Sequence, residues 1–379
     1  MKTNQLVPVP VGTLTFSAGS GQSLNFDRAL SQLGGRLAHM RKLTFQVRAT
    51  PTLSSGNATA EELHAAIKNL TIKDGVRKIF EGSFKSLRLF EAMENGALVS
   101  PEPDAAATTE QVNLTRTFDL ALPQAADPND FLMPVAAFKG GSIAVSYGAL
   151  TDVDANCTAL TFIVDVFAWV TILDDLIVPS LLERFEQNVV NSQAINQEAL
   201  YAFLGLADSN AFGVLAAGDI GNVQVINEAF STEKIDVRAL RDAYYADMEV
   251  GGISQIMGEP RAATDDNAKV ISATALAAAA SNVQPVIWNP RGGRITKIVH
   301  QARPGLTLNW DGSQGTCYGL MTRIVPRTTD LFAKYLGVIR SALPIDPSRW
   351  ELRDRTLTKR GYSGPRREYL PVKLKAPGA

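Results

Sequence analysis

The sequence predicts an all-β protein made of two β-sandwiches, and three observations predict it. From Val112 to Leu122 apolar and polar residues alternate. Val112, Leu114, Phe118, Leu120 and Leu122 fall on one side, and Asn113, Thr115, Thr117, Asp119 and Ala121 on the other. Arg116 is the only break in the apolar row. Successive strand residues point to opposite faces, so this is a half-buried strand with one wet side. Comparable short runs recur between Gly- and Pro-rich turns along most of the 379 residues, too long a chain for one ordinary sandwich. No recognisable catalytic constellation accompanies them.

Taken in order, Leu43, Phe45, Val47 and Ala49 alternate with Lys42, Thr44, Gln46 and Arg48, a strand expected to stop at Pro51. A polar loop, Ser54 to Thr59, follows. Leu70 and Ile72 lead into the two-residue turn Asp74-Gly75, with Val76 to Phe80 as the return strand. Leu87, Phe90 and Met93 fit one face of a short helix ended by Asn95-Gly96. Beyond Pro123 a polar loop reaches the apolar patch Phe131 to Phe138, and Ile143, Val145 and Tyr147 make the next strand. Leu160 to Ile172 is apolar at both parities and reads as a strand buried between layers. Ser180 to Ser192 reads as a helical connector, and the domain boundary is set near it.

In the second half Val223 and Val225 predict a strand, and Asp236 to Met248 an amphipathic helix. Val283 to Trp288 with Ile295 to Val299 predicts one hairpin. Leu306 to Trp310, the turn Asp311-Gly312 and Cys317 to Val325 predict another. Thr328 caps a last helix running to about Ile339. The expected organisation is therefore an N-terminal sandwich over 1–178, a C-terminal one over 179–339, and a basic extended arm over 340–379.

Bulk numbers narrow the function. Hydrophobic residues at 45% and charged residues at 20% suit a globular core rather than disorder. A net charge of −1 argues against a surface built to grip nucleic acid. The charge is uneven: from Arg340 onward there are ten Lys and Arg against four Asp and Glu, a surplus of six that leaves the rest at −7. The N-terminus shows no secretory signal, and Leu160 to Leu173 holds Asp165 and is too short to span a bilayer. Asn57, Asn69, Asn113 and Asn156 begin glycosylation sequons that read as chance in a soluble protein made in a cytoplasm. Cys157 and Cys317 read as unpaired thiols in a reducing compartment.

Three stretches then resemble a known family. Phe118 to Gly148, Leu70 to Gly96 and Pro285 to Leu331 follow the layout of the double jelly-roll major capsid proteins of tailless, membrane-containing icosahedral bacteriophages, the lineage shared with adenovirus hexon. The resemblance implies two jelly rolls side by side, a pseudo-hexagonal homotrimer tiling a shell over an internal membrane, and no cofactor. It implies neighbouring trimers, penton or minor capsid proteins as partners, no specific nucleic acid, and residence in the virion after synthesis in the host cytoplasm. Two features depart from the family: the long polar N-terminal arm is missing, and the extension beyond Arg340 has no counterpart.

Competing readings are weaker. Gly315-Thr316-Cys317-Tyr318-Gly319 has the spacing of a nucleophile elbow, but a strand is expected to continue where a helix is required. Asp152-Val153-Asp154 starts like a calcium loop, yet Cys157 and Ile163 occupy the positions that need Gly and Glu. Gly19-Ser20-Gly21 reads as a turn. A carbohydrate-binding or cell-surface sandwich is the main alternative, although Trp169, Trp288, Trp310 and Trp350 are scattered. The functional candidate is the arm. Lys359, Arg360, Arg366, Arg367, Lys373 and Lys375, interleaved with Tyr362 and Tyr369 and broken by Pro365, Pro371 and Pro377, suit contact with a neighbouring subunit, the viral interior or anionic lipid.

Overall fold

In the computed structural model the described residues are 6–33, 38–58, 60–87, 90, 109–121, 131–173, 176–177 and 181–191, followed by the later strands and helix bounded below. In chain order the first strands are β1 (Val7–Thr15), β2 (Gly21–Asn25), β3 (Ala38–Leu53), β4 (Ile67–Lys73), β5 (Lys78–Gly82), β6 (Val112–Asp119), β7 (Met133–Pro134), β8 (Ser142–Tyr147) and β9 (Cys157–Ile172). Then come β10 (Leu176–Ile177), β11 (Leu181–Asn191), β12 (Gln197–Ala202), β13 (Ala211–Leu215), β14 (Asn222–Ile226) and β15 (Ile235–Asp236). The chain closes with β16 (Val283–Pro285), β17 (Thr307–Gly312), β18 (Gly315–Val325), β19 (Trp350–Arg353) and β20 (Thr356–Lys359). The helices are α1 (Asp27–Gln32), α2 (Ala60–His64), α3 (Leu150–Val153) and α4 (Thr329–Ala342), with a 3-10 turn at Val135–Phe138.

The pairing repeats itself. With the two-residue β7 set aside, β1 to β9 supply eight strands. One sheet runs β1-β9-β3-β6, which is first, eighth, third, sixth, and the facing strands run β2-β8-β4-β5, which is second, seventh, fourth, fifth. Strands β11 to β18 reproduce this order: β11-β18-β13-β16 and β12-β17-β14-β15. Eight strands wound so that all consecutive ones except the fourth and fifth fall in opposite sheets make a jelly roll. The protein is a double jelly roll.

Each half-buried strand lays its apolar parity inward. Leu43, Phe45 and Val47 of β3 and Phe162, Val164 and Val166 of β9 lie in one core with Leu70 and Ile72 of β4 and Ile143 of β8. Aromatic rings bridge the layers, Phe80 to Phe118 at 5.5 Å and Phe45 to Phe84 at 5.8 Å, both edge to face, the arrangement the ring quadrupole favours. Arg116 does share the apolar parity of β6. It is 2% exposed, and its Nε donates to His64 Nε2 at 3.0 Å inside the first roll.

Several expectations need correction. β3 does not stop at Pro51 but runs to Leu53, with Pro51 opposite Leu160. β6 accompanies β3 only as far as Ala49, so the missing N–H falls where that ladder has ended. β9 lies centrally between β1 and β3, yet one face is half-open: Ile163, Asp165, Phe167 and Trp169 alternate with the buried row. Ser180 to Ser192 is no helical connector, because β11 pairs with β18 from Leu181 to Asn191. β17 and β18 are not a hairpin; they belong to different sheets, and Asp311 and Gly312 lie inside β17.

β1 was hidden by Pro8 and Pro10, which are tolerated because β1 is an edge strand. Helix α4 runs past Ile339 to Ala342, so the segment from Arg340 starts inside a helix. The helix expected after Asp236, the strand Ile295 to Val299 and the cap Thr328 lie outside the described residues.

The Asp74-Gly75 turn is longer than the expected two residues: the return strand starts at Lys78 rather than Val76, and the connection 74–77 is pinned from both sides. Asp74 Oδ1 accepts from the N–H groups of Val76 and Arg77, each at 2.7 Å, and Gly75 N–H donates to Ala137 O at 2.7 Å. A Cβ at Gly75 would sit 2.9 Å from Ala137 O and 2.7 Å from Val338 Cγ1 of α4, and against Lys139 O as well. Gly75→Ala is therefore expected to destabilise the fold by about 1–3 kcal/mol through overpacking against backbone, measured as a lower urea midpoint.

Candidate functional site: the seam between the rolls

The strands β2-β8-β4-β5 of the first roll and β11-β18-β13-β16 of the second form one continuous eight-stranded sheet, joined where β11 lies parallel to β5. The paired positions there are Arg184 with Phe80 and Phe185 with Glu81, so the backbone contributes little. Side chains carry the joint. Arg77 Nη1 donates to Leu182 O at 3.0 Å and to Glu183 Oε1 at 3.1 Å, while Arg77 Nε lies 3.4 Å from Asp74 Oδ2. Glu183 Oε2 accepts from Arg323 Nε at 3.1 Å and is also met by Arg323 Nη2.

The row Asp74, Arg77, Glu183, Arg323 thus alternates in sign across the seam, from the β4–β5 turn to β11 and β18. Arg77 is 8% exposed and Glu183 13%, so water screens these charges weakly. Arg184 turns back into the first roll. Its Nη1 donates to Asp119 O at 2.6 Å, and its guanidinium lies 5.2 Å from the Phe118 ring centre. Glu186 Oε2 accepts from Ser83 N at 2.9 Å and Ser83 Oγ at 2.8 Å, and Leu182 packs with Ala121 and Phe131.

Burial pushes both the Asp74 and the Asp119 carboxyls above their ordinary 3.8, opposed at Asp74 chiefly by the Arg77 charge and at Asp119 by the Ala121 N–H and then Arg184. Helix α4 also crosses back. Ile339 is buried in the first roll's core, and Lys139 Nζ donates to Ser341 O at 3.0 Å. β19 and β20 pair with each other, and β20 pairs with β10 in the link between the rolls. Strands β19 and β20 of the expected arm are therefore folded onto the body rather than free of it.

The other sequence candidates fall as follows. Cys317 sits inside β18 opposite Val189, and the strand continues to Val325, so the strand-to-helix turn of a nucleophile elbow is not formed. Cys157 is buried, and burial pushes its thiol pKa up. Asp152 Oδ2 accepts from Ala149 N–H and Asp154 Oδ1 from Asn156 N–H, which are local turn contacts. Gly19 has φ +67° and forms the turn expected at Gly19-Ser20-Gly21. Lys359 ends β20, whereas Arg360, Arg366, Arg367, Lys373 and Lys375 lie outside the described residues. Among the described residues no three His, Cys, Asp or Glu side chains are grouped to hold a metal ion.

By sequence no family model and no curated protein matches this chain. By structure the match is extensive. The STIV major capsid protein superposes at a TM-score of 0.56 with 11% identity, covering 85% of this chain and 97% of that one. This chain shares the fold of that protein. A chain from the atomic structure of Sulfolobus Turreted Icosahedral Virus gives 0.55 at 10% identity, over 91% and 98%. PBCV-1 VP54 gives 0.51 at 8% identity, over 84% and 93%. The double jelly-roll fold expected from the three stretches is thus present, shared with these proteins in structure at 8–11% sequence identity.

Two measurements test the seam. Glu183→Ala removes the carboxylate shared by the buried Arg77 and by Arg323, leaving Arg77 only Asp74 and Leu182 O, and is expected to cost about 3 kcal/mol in chemical unfolding. For Asp74, the raised folded-state pKa means the folded chain holds that proton more tightly than the unfolded chain. Its contribution is complete below pH 3.8 and is lost as pH rises through the folded-state value. Asp74→Asn should therefore gain stability relative to the parent protein as pH is raised from 3.8, read from urea midpoints across a pH series.

Proposed function

We propose that this chain is a structural, non-enzymatic major capsid protein. Three copies form a pseudo-hexagonal homotrimer, and trimers tile an icosahedral viral shell over an internal membrane. The observation that carries this reading is the pair of jelly rolls with one repeated strand order, in a chain that superposes on 97% of the STIV major capsid protein. The seam supports it: two rolls bound into one sheet make a rigid block suited to tiling. The division at about residue 178 belongs to the same proposal, with the two rolls as units fused through β11. Neighbouring trimers and penton or minor capsid proteins are its partners, the virion its location, and no cofactor or specific nucleic acid enters.

Lys359, Arg360, Arg366, Arg367, Lys373 and Lys375 are assigned to contact with a neighbour or with the anionic inner membrane, each basic residue near such a surface contributing about 1 kcal/mol. The hairpin β19–β20 sets the anchor of this segment at the link between the rolls. The purified protein is expected to scatter light as a trimer, three times 40.8 kDa, that resists dilution. A monomer at every concentration would overturn the reading. Truncation after Lys359 should leave fold and trimer intact while lowering particle yield and binding to anionic vesicles. Unchanged yield and vesicle binding would remove the arm from assembly.

A further inference from the structure

The apolar row of the first roll outruns its cover. On β1 and β9 the inward positions pair as Val9 with Ala168 and Val7 with Val170, and Val9, Ala168 and Val170 are buried. The row then runs out to Val7, 46% exposed, and to Ile172, 47% exposed and of the same parity as Val170. No other large hydrophobic side chain among the described residues is as exposed, and these two share one end of one sheet. Opposed and diagonal strand residues on one face lie within reach of a single large side chain. Val7 and Ile172 thus form one apolar step at the end of the roll.

The chain itself is aimed at that step. β20 pairs antiparallel with β10, Leu357 opposite Leu176 and Thr356 opposite Ile177, so it runs toward the end of β10 that follows β9. Ile172 lies four positions before Leu176, a span of at most about 14 Å. Tyr362 lies five positions after Leu357, a reach of up to about 18 Å. It is the first aromatic residue beyond β20, and Gly361 and Gly364 on either side leave the backbone free to bend. From Thr3 to Phe26 there is no Asp, Glu, Lys, Arg or His, so the β1 side of the step offers no charge. A tyrosine ring, apolar in its body and wet at its hydroxyl, suits such a place.

We propose that the segment from Arg360 to Pro365 folds back on its own first roll and covers Val7 and Ile172 with the Tyr362 ring. The cover removes an apolar step from water and fixes where the rest of the arm begins. The chain's own segment is favoured over that of another copy because a short tether holds it at an effective concentration on the order of millimolar. This does not depend on the coat-protein reading, and it divides the arm assigned there. The part around Tyr362 is a plug, and Arg366, Arg367, Lys373 and Lys375 continue from it toward a neighbour or an anionic surface.

The test is disulfide trapping in the full chain, with copper phenanthroline as oxidant. Val7→Cys with Ser363→Cys puts one thiol on the step and one beside Tyr362, and a bond forms only if their Cα atoms come within about 7 Å. Thr15→Cys with Ser363→Cys is the control, at the exposed far end of β1, roughly 26 Å along the strand. The expected result is a bond within one chain from the first pair alone, running at 40.8 kDa on a non-reducing gel and identified by peptide mapping against Cys157 and Cys317. Adding Tyr362→Ser should lower its yield severalfold. If the first pair fails to fold, Ile172→Cys with Ser363→Cys repeats the measurement. A bond between two chains would give the step to the arm of another copy and overturn the inference. No bond in the folded pair, equal yield from the control, or a yield unmoved by Tyr362→Ser would overturn it too. None of these outcomes touches the coat-protein reading, which the mass of the parent protein in solution decides.

Discussion

The rest of the structure depends on β11 belonging to both rolls. It is the first strand of one sandwich, paired along its length with β18, and it also closes the β5–β6 side of the other through Arg184 and Leu182. A short parallel pairing would not hold two sandwiches in one orientation. The charges of Arg77 and Glu183, shielded from water, and of the half-buried Arg323 do so because they are aligned with alternating sign. A buried ion row costs more to desolvate than an apolar contact of the same size. What it adds is directionality, since shifting the register of β11 by one residue would exchange Glu183 for Arg184 and oppose like charges.

The parts legible in the sequence were those governed by local rules. β3, β6 and β8 each have one dry and one wet face, and that alternation survives without knowledge of any partner. The β4–β5 hairpin was legible because Asp74 shapes its turn with its own carboxylate. The illegible parts were set by distant partners. Leu181, Leu182 and Phe185 have a spacing that suits a helix, and only β18, more than a hundred residues on, makes that segment a strand. Asp311-Gly312 imitates a hairpin turn, but a jelly roll sends its seventh and eighth strands, here β17 and β18, to opposite sheets. β1 was concealed by prolines whose cost vanishes at an edge.

The seam itself could not be read from the chain. Arg77 and Glu183 are separated by 106 positions, and nothing near either announces the other. The one local hint was Arg116, a cation in an apolar row, and it led to a buried contact with His64 within the first roll rather than to the joint. The repeat was invisible for a related reason. Two rolls can share a winding order while each fills its own core with different side chains, since strand order depends on alternation and connection length rather than on residue identity.

Helix α4 has a consequence for how this protein is made. Ile339 completes the core of the first roll, and Lys139 bonds to Ser341, yet both α4 residues leave the ribosome after the whole second roll has been synthesised. The amino-terminal half of a nascent chain therefore waits, with its apolar base uncovered, until translation is nearly finished. A prematurely terminated chain lacks the piece that seals its own first half.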